Sequence, residues 1–194
     1  MTLAFTLGHS LTLALGALGL PVPQGTIEAL IAVSILVAAV HAIRPIFPGR
    51  EALIAGSFGL IHGLAFSQTL RELDLTGGQL VSALLGFNLG IEAMQLIIVA
   101  LVLPPLILLA RAGRYAALRV TAAGLTAVAA LGWLAARLGH PNPVATIADH
   151  LGLLSVPVVI GVWAAALIAS RPTRRVQRKP DKDDQPRMLE QASF

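Results

Sequence analysis

Six stretches of this chain, residues 2–20, 26–43, 52–70, 80–104, 120–136 and 151–170, are almost uninterrupted in apolar side chains and nearly empty of charge. A helix needs roughly 20 such residues, at about 1.5 Å rise each, to cross the hydrocarbon of a bilayer. The connections are turns by their own chemistry: Pro21-Val22-Pro23-Gln24-Gly25, Arg44-Pro45 with Pro48-Gly49-Arg50, Thr76-Gly77-Gly78, the run from Pro104-Pro105 onward, and His140-Pro141-Asn142-Pro143. The expected fold is all-α: a polytopic transmembrane helical bundle of about six spans over residues 1–170, then a disordered basic tail at 171–194. The fourth stretch stays apolar to Ala110, so it must tilt, bend at the proline pair or project from the bilayer. The fifth is short and rich in Ala.

Composition agrees. Soluble domains carry about a quarter charged residues, whereas this chain has 12% charged and 56% hydrophobic residues and a mean hydropathy of +0.78. With no Cys, disulfides, iron–sulfur clusters and thiolate metal sites are excluded. The first stretch begins at Met1 without the basic segment of a secretory signal and holds a histidine, so it is expected to remain as a mature helix. A pI near 10.7 would suit nucleic acid, but no recognition motif accompanies the basic residues. The expected partner is the lipid bilayer. With six alternating spans, Arg44, Arg50, Arg111, Arg114, Arg119 and the basic tail fall on one side and only Arg71 and Arg137 on the other. By the positive-inside rule both termini are then cytoplasmic.

The informative residues are those that hydrocarbon should reject. His9, Ser34, His62, Asn88 and Glu92 all fall near the middle of their stretches. An ionised carboxylate there costs at least about 2.5 kcal/mol, so Glu92 should be protonated, paired with a histidine or bound to a cation. Asn88, Glu92 and Gln95 share one helix face at i, i+4 and i+7, as do His9, Thr12 and Gly16. Gly59 with Gly63 and Gly86 with Gly90 are small-xxx-small pairs that allow close helix approach. The first, third and fourth helices are therefore expected to pack with His9, His62 and Glu92 pointing at one another. In that arrangement these three are candidate metal ligands, with Ser10, Thr12, Ser34, Asn88 and Gln95 as polar neighbours that orient them. The plainer alternative is interhelical hydrogen bonding, worth about 0.6 kcal/mol on average. Glu28 and His41 stand at opposite ends of the second stretch, either as ligands on the way in and out or as solvated end residues. His140, Asp149 and His150 offer a weaker outer cluster, with chance placement in a polar loop the better account.

Four ordered blocks give the chain a family likeness. They are Phe5-Thr6-Leu7-Gly8-His9-Ser10-Leu11-Thr12-Leu13, Ile27-Glu28-Ala29-Leu30-Ile31-Ala32-Val33-Ser34, Phe58-Gly59-Leu60-Ile61-His62-Gly63-Leu64-Ala65-Phe66 and Phe87-Asn88-Leu89-Gly90-Ile91-Glu92-Ala93-Met94-Gln95. Together they resemble the successive blocks of the HupE/UreJ family, polytopic bacterial membrane proteins associated with hydrogenase and urease maturation. The resemblance implies the bacterial inner membrane, metalloenzyme maturation proteins as partners, and handling of a transition metal, usually assigned as nickel. Members also carry an earlier helix with a Gly-x-Asp-His motif that has no counterpart here, which implies a start upstream of Met1 or loss of that helix.

Imidazole and carboxylate ligands without thiolate suit Ni(II), Co(II), Zn(II) or Cu(II) better than Cu(I). No cofactor is expected to be permanently bound; Ni(II) or another divalent ion is the expected substrate. No phosphate-binding Gly-x-x-x-x-Gly-Lys loop exists, so facilitated or proton-coupled movement is expected rather than pumping, and no enzymatic activity. The rivals are a non-transporting accessory scaffold, an electron-transfer subunit with haem held by His9 and His62, and, last, an intramembrane hydrolase.

Overall fold

A computed structural model describes residues 1–19, 23–73, 75, 77–152 and 155–170. The expected tail at 171–194 lies outside the described residues, as do parts of the turns at 20–22 and 74–76. Helices α1 (Thr2–Ala17), α2 (Gln24–Ile43), α3 (Glu51–Glu72), α4 (Gly77–Arg111), α5 (Tyr115–Arg137), α6 (Pro143–Gly152) and α7 (Ser155–Ala169) follow one another, and no strand occurs among the described residues. The all-α membrane bundle expected from the hydropathy pattern is what forms. The count of about six is only approximate. Four helices, α2 to α5, are long and apolar enough to cross a bilayer, and α6 with α7 makes a fifth if the bent pair is counted as one span. At 16 residues α1 is shorter than a full crossing.

The bundle is sorted for lipid rather than water. Leu3, Leu7, Leu11 and Leu15 recur every four residues along α1 and all face outward, while His9, Leu13 and Gly16 are buried. The same holds elsewhere: Ala32, Ser34, Ala39, Ser67, Ala123, Ala130 and Ala166 are interior, and large Leu, Ile and Val side chains cover the outside. Small residues at the contacts let backbones approach closely, which substitutes for a hydrophobic drive that lipid does not supply.

Contact residues show the helices alternating in direction. Gly8 meets Gly56, and Gly16 meets Ser67, so α1 and α3 run parallel. Glu28 at the start of α2 pairs with Arg137 at the end of α5, and Thr6 and Ser10 meet Glu92 and Asn88 in reverse order, so α2/α5 and α1/α4 are antiparallel; Ser34 of α2 faces His62 of α3. The α1–α3 seam is the tightest. A Cβ at Gly59 would overlap the Phe5 carbonyl, and one at Gly63 would overlap the His9 carbonyl and the Thr12 hydroxyl. The glycine pair around His62 thus does what its spacing implied. The matching pair on α4 does not: a Cβ at Gly86 or Gly90 would meet nothing within 4 Å. At about 100° per residue Gly86 lies about 200° round the helix from Asn88, so the glycine face turns away when the polar face meets α1.

The expected break at Pro104-Pro105 is absent. Helix α4 continues through both prolines for 35 residues, about 52 Å at about 1.5 Å per residue, and must cross tilted or carry its last turns beyond the hydrocarbon. Pro105 has no N–H to give the carbonyl of Leu101, and that oxygen instead accepts a 2.9 Å hydrogen bond from the Trp163 indole of α7. The helix ends at Gly113 instead. With φ +71° there, Gly113 N–H bonds Ala110 O and Arg114 N–H bonds Leu109 O, the paired bonds of a Schellman cap.

Helix α6 has no forerunner in the hydropathy pattern. Asn142 caps it, accepting the Ala145 N–H at 3.1 Å, with Pro143 at the first helical position. The Asn142 amide also donates to Gly132 O at 2.9 Å, and Val144 fills the space a side chain at Gly132 would need. One asparagine therefore starts α6 and lays it against α5.

Both the proline rescue and the glycine seam can be measured. Trp163→Phe should lower stability by about 1–3 kcal/mol by stranding the Leu101 carbonyl. The loss should largely vanish in a Pro105→Ala background, where the substituted residue supplies its own N–H; unfolding titrations in mixed micelles measure both. Gly63→Val should abolish folding, whereas Gly86→Val should shift stability by less than about 0.5 kcal/mol, read by the same titration.

Candidate functional site

The close α1–α3 seam turns Thr6, His9 and Ser10 toward α4, and two rungs join the antiparallel pair. Thr6 Oγ1 donates to Glu92 Oε2 at 2.6 Å, and Ser10 Oγ lies 2.7 Å from Asn88 Oδ1. Thr6 and Ser10 are one turn apart, as are Asn88 and Glu92, which is why both rungs register together. Ser10 Oγ is also 2.6 Å from the Thr6 carbonyl, and its single proton serves one acceptor at a time. The Asn88 amide donates to Leu84 O at 2.8 Å, which fixes its carbonyl toward Ser10. Gln95, expected on the same face, makes no such rung; its Oε1 is buried without a partner.

His9 sits between these rungs and α3 at 1% exposure. Its ring is stacked between Phe5 and Phe87, with centroids 5.8 and 5.9 Å away and planes within 18° and 14°. Phe66 of α3 meets it at a tilt from 5.8 Å. Neither ring nitrogen has a hydrogen-bond partner. A neutral imidazole has one N–H and one lone pair, and leaving such groups buried and unpaired costs about 1–3 kcal/mol each.

His62 lies on the other flank of Phe5, with ring centroids 5.7 Å apart, so one phenyl touches both imidazoles. Its Nε2 is 3.4 Å from Ser34 Oγ on α2. The Ser34 hydroxyl gives its proton to Ile31 O at 2.7 Å, so the contact is a hydrogen bond when His62 carries its proton on Nε2. In that tautomer Nδ1 is left with a free lone pair. Thr12 bonds back to the carbonyls of Gly8 and His9, at 3.2 and 3.4 Å, and packs against Gly63.

The expected residues are therefore brought onto α1, α2, α3 and α4 around one level, but not into one coordination sphere. Among the described residues no three His, Asp or Glu side chains stand close enough to hold a metal ion together. Glu92 is turned to Thr6, and His9 is enclosed by phenyl rings. The arrangement is two imidazoles sharing a phenyl neighbour, with a hydrogen-bonded carboxyl group beside them. His140, Asp149 and His150 likewise form no such group.

The end residues have structural partners. Glu28 Oε2 pairs with Arg137 Nε at 2.6 Å, its other oxygen accepts from Gln24 at 2.9 Å, and Trp133 Nε1 donates to Asp149 at 2.8 Å beside them. Glu28, Arg137, Trp133 and Asp149 border a cavity of about 220 Å³. His41 closes the turn after α2: its Nδ1 accepts the Ile46 N–H at 3.2 Å and its ring stacks on Phe47. Arg71, at the end of α3, donates to the Gly16 carbonyl at 2.5 Å and caps α1.

Sequence reasoning overlooked Thr6 and the three phenylalanines. The signal for Thr6 was available: its spacing to Ser10 equals that from Asn88 to Glu92. Nothing in one sequence marks a phenylalanine as a histidine's neighbour rather than a lipid-facing residue.

Thr6→Val should weaken the α1–α4 contact by about 0.5–1.5 kcal/mol, while Thr6→Ser should restore it; thermal unfolding in a fixed detergent distinguishes the two.

Comparison with known families gives a match to the family described as HupE / UreJ protein over residues 1–137. That interval contains α1 to α5 and, with them, His9, His62, Glu92 and the polar residues around them. Curated proteins and solved structures give no match.

Proposed function

Since the chain belongs to the HupE/UreJ family, we propose that it handles a divalent transition metal ion in the membrane, facilitating its passage through the α1–α4 region, with nickel the ion the family likeness favours. His9, at 1% exposure with both nitrogens unpaired, carries this reading, because an imidazole so placed is costly unless it gains a partner in another state. His62 and Glu92 are the further ligands their chemistry offers, and Ser34 and Thr6 hold them in place. Binding would require Glu92 to leave Thr6 and the His9 ring to rotate within its phenyl sleeve. Few and modest ligands suit a site that an ion must also leave. Exchange of a proton for the cation at the imidazoles and the carboxyl group would couple movement to pH. The protein is proposed to act without enzymatic activity or a resident cofactor. The basic connections favour cytoplasmic termini in a bacterial inner membrane, where metalloenzyme maturation proteins would be its partners.

A membrane scaffold that moves nothing is the second reading, favoured by the lack of a three-ligand group among the described residues. Uptake of nickel, cobalt and zinc into proteoliposomes separates the two. Transport should fall at least about tenfold in His62→Ala and Glu92→Gln, with His9→Phe, which fits the sleeve, equally impaired. Equal uptake by the wild-type chain, these variants and empty vesicles would reject transport and leave the scaffold.

A further inference from the structure

Away from the histidines, α4 and α7 stand off from α2 and α5 and leave an open cavity of about 560 Å³. That size is usual for a small-molecule site, about 300–1,000 Å³. Its walls are apolar almost throughout, with Ile35 and Ala38 of α2, Leu106 of α4, Ala122 of α5, and Val158 and Val162 of α7. Two polar residues stand at one end. Arg119 and Tyr115 lie in the first turns of α5, with the guanidinium carbon 6.0 Å from the phenol ring centroid. Arg119 Nε is buried and has no hydrogen-bond partner. This is the end of the bundle that carries Arg44, Arg50, Arg111 and Arg114, and a tyrosine there is at the level of lipid headgroups.

We propose that this cavity is a binding site for one anionic phospholipid, its acyl chain lying between α4/α7 and α2/α5 and its phosphate on Arg119. Charge and shape select this occupant together. A greasy slot alone would accept any chain, and a half-buried arginine alone any anion. An unpaired guanidinium N–H at the mouth of an apolar slot fits a ligand with a fixed anionic head and a long hydrocarbon body, since an arginine fork matches phosphate geometry. A lipid there would fill the gap and bridge the α4/α7 pair to α2 and α5.

The test is native mass spectrometry of the full chain released from mild detergent, with phosphatidylglycerol or phosphatidylcholine of identical acyl chains added. One phosphatidylglycerol per chain should be retained, about tenfold more readily than phosphatidylcholine. Arg119→Gln should remove the preference, Arg119→Lys should keep part of it, and Ala122→Phe should reduce retention of both lipids by filling the slot. Arg50→Gln, a change at an exposed arginine on the same side, should leave retention unaltered. Equal retention of the two lipids by the wild-type chain, or equal losses in Arg50→Gln and Arg119→Gln, would overturn the proposal. Displacement of phosphatidylglycerol by millimolar inorganic phosphate, whatever the acyl length, would assign a free-anion site instead. If Arg119→Gln fails to fold, the wild-type preference and Ala122→Phe decide the matter.

Discussion

Backbone contact between α1 and α3 is the constraint from which the rest of the arrangement descends. Glycines at 8, 56, 59 and 63 bring the two helices together with main-chain atoms touching. Contact that close leaves α1 no freedom to rotate about its own axis. Its azimuth then decides everything it presents: leucines to lipid, His9 inward, and Thr6 and Ser10 toward α4. A side chain at Gly63 would push α1 outward and take both α4 rungs with it.

Inside hydrocarbon each polar group has to find its complement within the protein, and the described residues obey this with few exceptions. The Leu101 carbonyl, released by a proline, is met by Trp163. The Gly16 carbonyl at the end of α1 is met by Arg71. Arg71 and Arg137 are also the two arginines that six alternating spans would place opposite the other basic connections. Both are committed to packing, one as a helix cap and one as the partner of Glu28. Seen this way they are fasteners, and they do not weaken the charge asymmetry. His9 stands out against that background because both of its nitrogens go unmet.

Helix class, helix order and the level of the polar residues were legible in the sequence, because a 20-residue apolar run in a bilayer has few alternatives. Which way each helix turns was not. Gly59-Gly63 and Gly86-Gly90 have identical spacing, yet one pair is the tightest contact in the bundle and the other faces open space. The difference comes from Asn88 and Glu92 claiming the inward face of α4, a competition between faces that spacing alone cannot rank. Local rules also misjudged α4 at its prolines, since the donor that rescues the helix comes from residue 163. Glu28 likewise looked like a solvated end residue because its partner lies 109 positions away. Of the candidate site, the helices and depth were readable, while the phenyl enclosure of His9 and the turning of Glu92 toward Thr6 depend on three-dimensional neighbours.

The proline pair has a kinematic consequence. A helix lacking the Pro105 hydrogen bond can flex at that point more cheaply than elsewhere along its length, but any bend that parted Leu101 from Trp163 would leave a bare carbonyl in oil. The indole therefore acts as a latch that yokes α7 to α4 one turn before Pro105. Because the latched carbonyl lies one turn before Pro105, flexing at the prolines leaves α7 tied to the part of α4 on the N-terminal side of the hinge.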